Sequence, residues 1–314
     1  MINEYTAAHN GFTYIDHSNY FGRFELTGRD RLDLLHRMST QDLNSLPIGM
    51  GRPTVLTTAL ARIIDQLVVY NRGETALAIT GPGMLRTVRG WLQKHIFFND
   101  QIKTRDVSGE LMQFTLVGPA VLDWVEGYAP GLSAAPMYQI WEGAPLMLAA
   151  GPQIGGARSY SLFAAPDVDI RALFPTAAVP LSDADYDLLR IEAGIPAAGH
   201  ELTEDYIPLE AGLWGSVSFA KGCYIGQEII ARMESRNKLA RSLVNLHLPA
   251  LVPPGTPLTA EGRTVGSVTS SAAHPLGGAV ALGYVRTEAL GAALFVTPES
   301  AETLAVEVVG VPQR

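Results

Sequence analysis

One cysteine, Cys223, stands in 314 residues. A lone thiol cannot close an intramolecular disulfide, and by itself it cannot supply a four-cysteine zinc site or an all-cysteine cluster site. The seven histidines offer no substitute: His247 and His274 lack ligand-like spacing with each other or with the other five, so no metal site is read. Charge is also sparse. Charged residues make up 17% of the chain, the net charge is −8, and only four of the 23 basic residues are lysines. An acidic chain of this kind is not built to grip nucleic acid through its phosphates. No apolar run reaches the roughly 18 residues of a membrane span, and residues 1–10 lack the basic region and apolar core of a signal peptide. The expectation is a cytoplasmic protein without nucleic-acid or membrane partners. Against these absences stands a hydrophobic content of 47%, enough for a substantial core in two or three domains.

The cysteine lies in Lys221-Gly222-Cys223-Tyr224-Ile225-Gly226-Gln227-Glu228. Glycines on both sides predict a tight loop. Residues 227–233 are helix-compatible, with Glu228 and Arg232 spaced i,i+4 for mutual support. Cys223 then sits just ahead of a helix N-terminus, two residues from Lys221, and both neighbours favour a thiolate. A free cysteine also serves as a small buried hydrophobe, and spacing alone leaves both readings open.

Residues 12–15 and 20–26 alternate as strands, and Thr27 is expected to start a helix, with Asp30 three residues on and Leu32, Leu35 and Met38 at helical spacing. Residues 47–53 read as a connection. Residues 55–70 read as a hairpin whose second strand, 63–70, carries the polar interruption Asp65-Gln66. Residues 77–82 and 114–119 each run strand, Gly-Pro, helix, with the proline in the first helical turn. Phe97 and Phe98, in a strand edge or loop, are read as core, with a ring pocket as the alternative. Short strands are expected at 137–141, 146–149 and 159–164. Ser182 and Asp185 form a capping pair for a helix that Gly194 ends. From Ser242 the texture changes to strands at 242–248, 264–270, 279–286, 294–297 and 304–309, broken by proline and glycine: a small antiparallel barrel without helix. The division is 1–241 and 242–314.

Lys-Gly-Cys-Tyr-Ile-Gly-Gln-Glu resembles the signature of the YgfZ family, folate-binding proteins that assist iron–sulfur cluster assembly and are related to the aminomethyltransferase (T-protein) of the glycine cleavage system. The resemblance extends to Thr27-Gly28-Arg29-Asp30, Arg190-Ile191-Glu192-Ala193-Gly194 and Pro208-Leu209-Glu210-Ala211-Gly212-Leu213. In the last region it covers Val265-Gly266-Ser267-Val268-Thr269-Ser270 and Leu282-Gly283-Tyr284-Val285. It implies an α+β fold of two interleaved lobes and a C-terminal β-barrel around a central cavity. It also implies tetrahydrofolate as ligand, and iron–sulfur client enzymes or assembly factors as partners.

In that picture Cys223 is the reactive thiolate and Lys221 helps lower its pKa. Asp65, Gln66, Arg190, Glu192, Tyr224, Gln227, Glu228 and Arg232 are the expected folate-site residues, with Gln227 and Glu228 also fixing the loop. Glu192 and Glu210 are expected either to converge or, for Glu192, to pair with Arg190. The basic cluster Arg232, Arg236, Lys238 and Arg241 reads as a solvated face or as the receiver of a folate's glutamyl tail. T-proteins carry Asp-Asp where this chain has Asp65-Gln66, and the second aspartate is the one associated with transfer. Gln66 cannot take up a proton. The T-protein glutamate that contacts the pterin falls here at Tyr160-Ser161. The expected function is therefore an accessory factor rather than a transferase. The alternatives are one-carbon transfer of the T-protein type and a non-catalytic folate-responsive interaction protein.

Overall fold

The chain starts one sheet, leaves it to build another, and comes back. In the computed structural model, which describes residues 2–236, 239–297 and 303–310, Thr13–Asp16 is a strand of a six-stranded sheet. That sheet is completed only by Met112–Val117, Ile140–Gly143, Leu146–Ile154, Ala157–Ala164 and Val179–Pro180. Between them, Met50–Thr57, Ile63–Asn71, Thr75–Pro82, Phe21–Thr27 and Lys103–Asp106 lie side by side in a five-stranded sheet. The two lobes are thus interleaved, as the resemblance implies. The remaining strands close a six-stranded antiparallel barrel: Arg241–Leu248, Pro257–Ala260, Arg263–Ala273, Ala279–Arg286, Leu294–Val296 and Leu304–Gly310. Closure removes the exposed edges that an open sheet of this length would present.

Several expectations are corrected. Thr27 ends a strand and caps no helix; the helix is Arg31–Met38. The chain turns at Gly28, whose φ of +98° excludes most side chains, and the Asp30 carboxylate accepts the Gln101 N–H at 2.8 Å rather than capping its own helix. The connection at 47–53 is half strand: Pro53 pairs with Val68, a place a proline can hold because Met50–Thr57 is the edge of its sheet. Pro119 does sit at the N-cap of Ala120–Tyr128, but Pro82 ends its strand, and Leu85–Gln93 begins only after Met84. Phe97 and Phe98 are both exposed, Phe97 lying under the Arg37 guanidinium at 5.0 Å, so neither is core. The four-residue strand Pro257–Ala260 escapes a pattern search because it begins at a proline and offers too few alternations; the barrel also holds a 3-10 turn at Thr287–Ala289. The Ser182–Asp185 capping box forms in full, and Gly194 follows the helix end at φ +70°.

The barrel docks through an apolar seam that includes Val55, Ile63, Leu188, Leu202, Leu243 and Leu282, with Tyr206 and Tyr284 stacked at 3.4 Å. Within this seam lies Glu201, fully buried. Its carboxylate accepts from Arg190 Nη1 and the Ala197 N–H at 3.0 Å, and from the Thr269 and Ser270 hydroxyls of the barrel at 2.6 Å. A buried charge with every oxygen engaged is tolerated; one left without its partner is not. Glu201→Gln keeps the volume but removes one of the two carboxylates paired with Arg190, leaving Asp187, so it should lower unfolding free energy by about 1–3 kcal/mol in urea denaturation. An unchanged midpoint would mean that the pair contributes nothing to docking.

Candidate functional site

A cavity of about 570 Å³ opens where both sheets meet the helix Asp183–Glu192. Asp65, Gln66, Val68 and Tyr70 line it from the second strand of the five-stranded sheet, and Ile79 to Pro82 from the central one beside it. Gly151, Pro152 and Ser161 come from the other sheet, Asp183, Tyr186, Asp187 and Arg190 from the helix, and Ile195 to Ala198 from the segment that Glu201 holds. The walls are mostly apolar and aromatic, the usual character of a small-molecule site.

Asp65 is fully buried at its wall. One carboxylate oxygen, Oδ2, accepts the Gly81 N–H at 2.9 Å, while Oδ1 has no partner among the described residues. Burial pushes this carboxyl up to about 7, against the pull of the Gly81 and Gln66 N–H groups. Gln66 donates from Nε2 to the Ser216 hydroxyl at 2.9 Å. Ser216 and Tyr138 belong to a second hollow of about 570 Å³, lined also by Leu46, Met50, Arg52 and Leu213, and Tyr138 is common to both spaces. Ser161 lines the cavity, whereas its neighbour Tyr160 is turned into the core, as strand alternation requires.

Arg190 lines the cavity, but its guanidinium is engaged by Asp187, Glu201 and the Ser270 hydroxyl. Glu192 does not line it. Two residues apart on a helix is the wrong interval to share a face, and the Glu192 carboxylate instead accepts from the Tyr5 hydroxyl at 2.8 Å, with His9 at 3.5 Å and His274 at 3.6 Å. Neither the Arg190–Glu192 pair nor the convergence of Glu192 with Glu210 therefore exists. Glu210 is buried elsewhere and accepts the Ile207 N–H at 3.2 Å.

Residues not anticipated from the sequence complete the mouth. His17 is buried, its Nδ1 3.0 Å from the Thr115 hydroxyl and its ring against Phe21 and Tyr186. Burial pushes its imidazole down to about 4, so it is neutral near pH 7. Tyr20 donates its hydroxyl to Asp183 at 3.1 Å across 163 residues of sequence. No local pattern announces contacts of that separation.

The cysteine loop lies apart. None of Lys221, Cys223, Tyr224, Gln227, Glu228 or Arg232 lines the cavity, so the last four stand outside this hollow. Cys223 is an exposed free thiol, which excludes the buried-hydrophobe reading. Gly226, at φ +84°, is pressed so closely on the hairpin turn that a Cβ there would stand 2.9 Å from the Thr57 hydroxyl and the Thr58 carbonyl. Thr57 also donates to the Ile225 carbonyl at 2.8 Å, and the Gln227 side chain accepts the Tyr224 N–H at 3.2 Å; Glu228, expected to share in fixing the loop, is exposed. Tyr224 is buried among Ala61, Ile207 and Ile230.

Lys221 is placed differently from its assigned role. Its ammonium donates to the carbonyls of His36, Ser39 and Gln41, the last two at 2.7 and 2.9 Å, and lies 4.7 Å from the Tyr224 ring. Burial pushes it down to about 8, opposed by Asp42. An ammonium has three N–H bonds, all spent here, so none remains for the thiol. Helix Gln227–Arg236 does follow the loop, with Glu228 and Arg232 exposed and unpaired with each other among the described residues. Arg241 is exposed and lies over Tyr206 at 5.8 Å; Lys238 and the side chain of Arg236 lie outside the described residues. The described part of the basic cluster does not reach the cavity, where Arg190 is the lining arginine.

Lys221→Met leaves buried carbonyls without a donor and should cost about 3 kcal/mol of stability, while the pH profile of Cys223 alkylation changes little. Unchanged stability with a profile shifted upward would restore the assignment of Lys221 to the thiol.

Residues 1–144 match the GCVT N-terminal domain, and residues 241–313 match the glycine cleavage T-protein C-terminal barrel domain. A putative chloroplastic transferase of Arabidopsis thaliana is 32% identical over 297 residues, covering 92% of this chain and 68% of that protein. The aminomethyltransferase of Rippkaea orientalis is 30% identical over 284 residues, covering 85% of this chain and 76% of the relative. In three dimensions, the crystal structure of glycine cleavage system aminomethyltransferase T from Bartonella henselae superposes with a TM-score of 0.87 at 21% identity, over 99% of this chain and 88% of that one; this likeness is one of fold. With both domains matched in order and relatives aligned along most of the chain, the protein belongs to the glycine cleavage T-protein family.

Proposed function

We propose that this protein binds a tetrahydrofolate in the central cavity and assists iron–sulfur cluster assembly or repair through Cys223. The observation that carries this reading is the separation of the two features: the cavity has its own polar groups at Asp65 and Gln66, and the thiol is exposed on a loop that contributes nothing to it. The cavity residues suit a folate. A flat, nitrogen-rich ring with N–H donors matches aromatic walls at Phe21, Tyr70 and Tyr186 and the unpartnered Asp65 oxygen. When bound, the folate supplies a one-carbon acceptor or simply an occupancy signal. Cys223 supplies one thiolate, to engage a partner protein or to hold one ligand position of a cluster, the remaining positions coming from another chain or small thiols.

A second reading, one-carbon transfer of the T-protein type, is favoured by Asp65. Gln66 cannot carry a proton, but a carboxyl shifted to about 7 lines the same cavity one residue earlier.

Calorimetric titration with tetrahydrofolate should show saturable binding, and absence of heat or thermal shift at millimolar ligand removes the folate part. In cells lacking this protein, activities of iron–sulfur enzymes should fall and be restored by the wild-type chain but not by Cys223→Ala, which keeps its folate affinity. Full rescue by Cys223→Ala would exclude the thiol mechanism. Robust methylenetetrahydrofolate formation from an aminomethyl-bearing carrier protein would promote the second reading.

A further inference from the structure

Two of the chain's four lysines, Lys94 and Lys103, bracket a short loop that carries Phe97 and Phe98. The helix Leu85–Gln93 leads into this loop, and Lys103–Asp106, an edge strand of the five-stranded sheet, leaves it. Phe98 is fully exposed and Phe97 mostly so. Burying one such side chain is worth roughly 1.5–3 kcal/mol, and the fold forgoes that gain at two adjacent residues.

The loop is nevertheless held in place. The Asp100 carboxylate accepts the Phe97 N–H at 2.7 Å and pairs with Arg37. Arg37 also pairs with Asp33 at 2.8 Å, donates to the His95 carbonyl at 3.3 Å and lies over the Phe97 ring. The Gln101 N–H is tied to Asp30. Phe98 is therefore presented outward on a built support. A side chain fixed in advance loses little freedom on binding, which suits an aromatic interface anchor.

Charge indicates what the tip fits. The carboxylates that hold or border it are matched: Asp33 and Asp100 by Arg37, Asp30 by Arg29, Asp106 by Arg89, Glu110 by Arg105. Arg86, Lys94 and Lys103 are exposed, with no carboxylate partner among the described residues. In a chain of net charge −8, the uncompensated charge at this tip is positive.

We propose that the Phe97–Phe98 tip is a docking point for a protein whose surface offers an apolar pocket rimmed by carboxylates. Phe98 fills the pocket, while Arg86, Lys94 and Lys103 face the rim, steering the encounter and fixing its register. The site depends on neither the cavity nor the thiol. An anionic membrane is a poorer fit. The free cations at the tip are Arg86, Lys94 and Lys103, fewer than the roughly four to eight of a lipid-binding cluster. An extended bilayer would also face the whole acidic chain, whereas a protein rim faces only the tip. A second copy is disfavoured as well, since a two-fold contact through this tip would set the same cations against each other.

Photocrosslinking in cells tests the assignment on the full chain, with p-benzoylphenylalanine placed at position 98. It should yield one discrete protein adduct, mapped on that protein to an apolar surface bordered by Asp or Glu. The adduct should be lost with Lys94→Glu/Lys103→Glu, and the same analogue at the exposed Leu276 should not form it. Titration of this chain with the captured protein, once purified, then measures affinity. Phe98→Ala and Lys94→Glu/Lys103→Glu should each weaken binding by about tenfold or more. Wild-type affinity should fall between about 50 and about 300 mM salt. All the substituted side chains are exposed, so the melting temperatures should stay at the wild-type value. An adduct only with a second copy, no protein adduct at all, or charge-reversed protein that binds like the wild type overturns the proposal. So does sedimentation of the wild type with phosphatidylserine-containing vesicles that Phe98→Ala abolishes.

Discussion

The buried pair of Arg190 and Glu201 is the contact on which the arrangement of the molecule depends. Glu201 is fully excluded from solvent, and its oxygens join three separate parts: the helix Asp183–Glu192, the segment from Ala197 that walls the cavity, and the barrel hydroxyls of Thr269 and Ser270. Two charges taken from water at this cost are held only by complete hydrogen bonding. Because the same arginine also lines the cavity, the docking of the barrel and the shape of the ligand site are set by one network.

The second constraint is separation. The cysteine loop is anchored by Lys221 on the carbonyls after one helix and by Gly226 on the hairpin turn, and these anchors leave the thiol outward. The hairpin is the common element. Its strand Ile63–Asn71 carries Asp65 and Gln66 into the cavity, and its turn seats the loop of Cys223. A ligand bound against Asp65 and a partner engaging Cys223 would thus act on the same turn end of one hairpin, where Leu56 pairs with Asp65 and Thr57 with Ile63. That is a physical route for coupling the two sites without either residue touching the other.

Much of this was legible in the sequence where the determinant is local. Alternation found most strands, the Ser182–Asp185 box found its helix, and Gly222 and Gly226 marked the loop. Errors arose where a long-range contact overrode the local signal. Asp30 looks like part of a helix start headed by Thr27, but its carboxylate is taken by Gln101, and Pro53 looks like a break but lies on a sheet edge. At the site, Asp65, Gln66 and Arg190 were identifiable because a polar interruption or a family segment marks them. His17, Tyr20 and Asp183 were not, because their shared mouth is assembled from segments far apart in the chain. Lys221 shows the limit of proximity in sequence. Two residues from the thiol, its ammonium is nevertheless committed to backbone carbonyls.

The central claim is that ligand binding and thiol chemistry occupy different places joined by one hairpin. Hydrogen–deuterium exchange with and without tetrahydrofolate tests it most directly. The account predicts strong protection on binding in Ile63–Asn71, in Thr75–Pro82 and across 195–202, with at most a slight change at 219–226. Protection centred on 219–226, with the cavity strands unaffected, would contradict it.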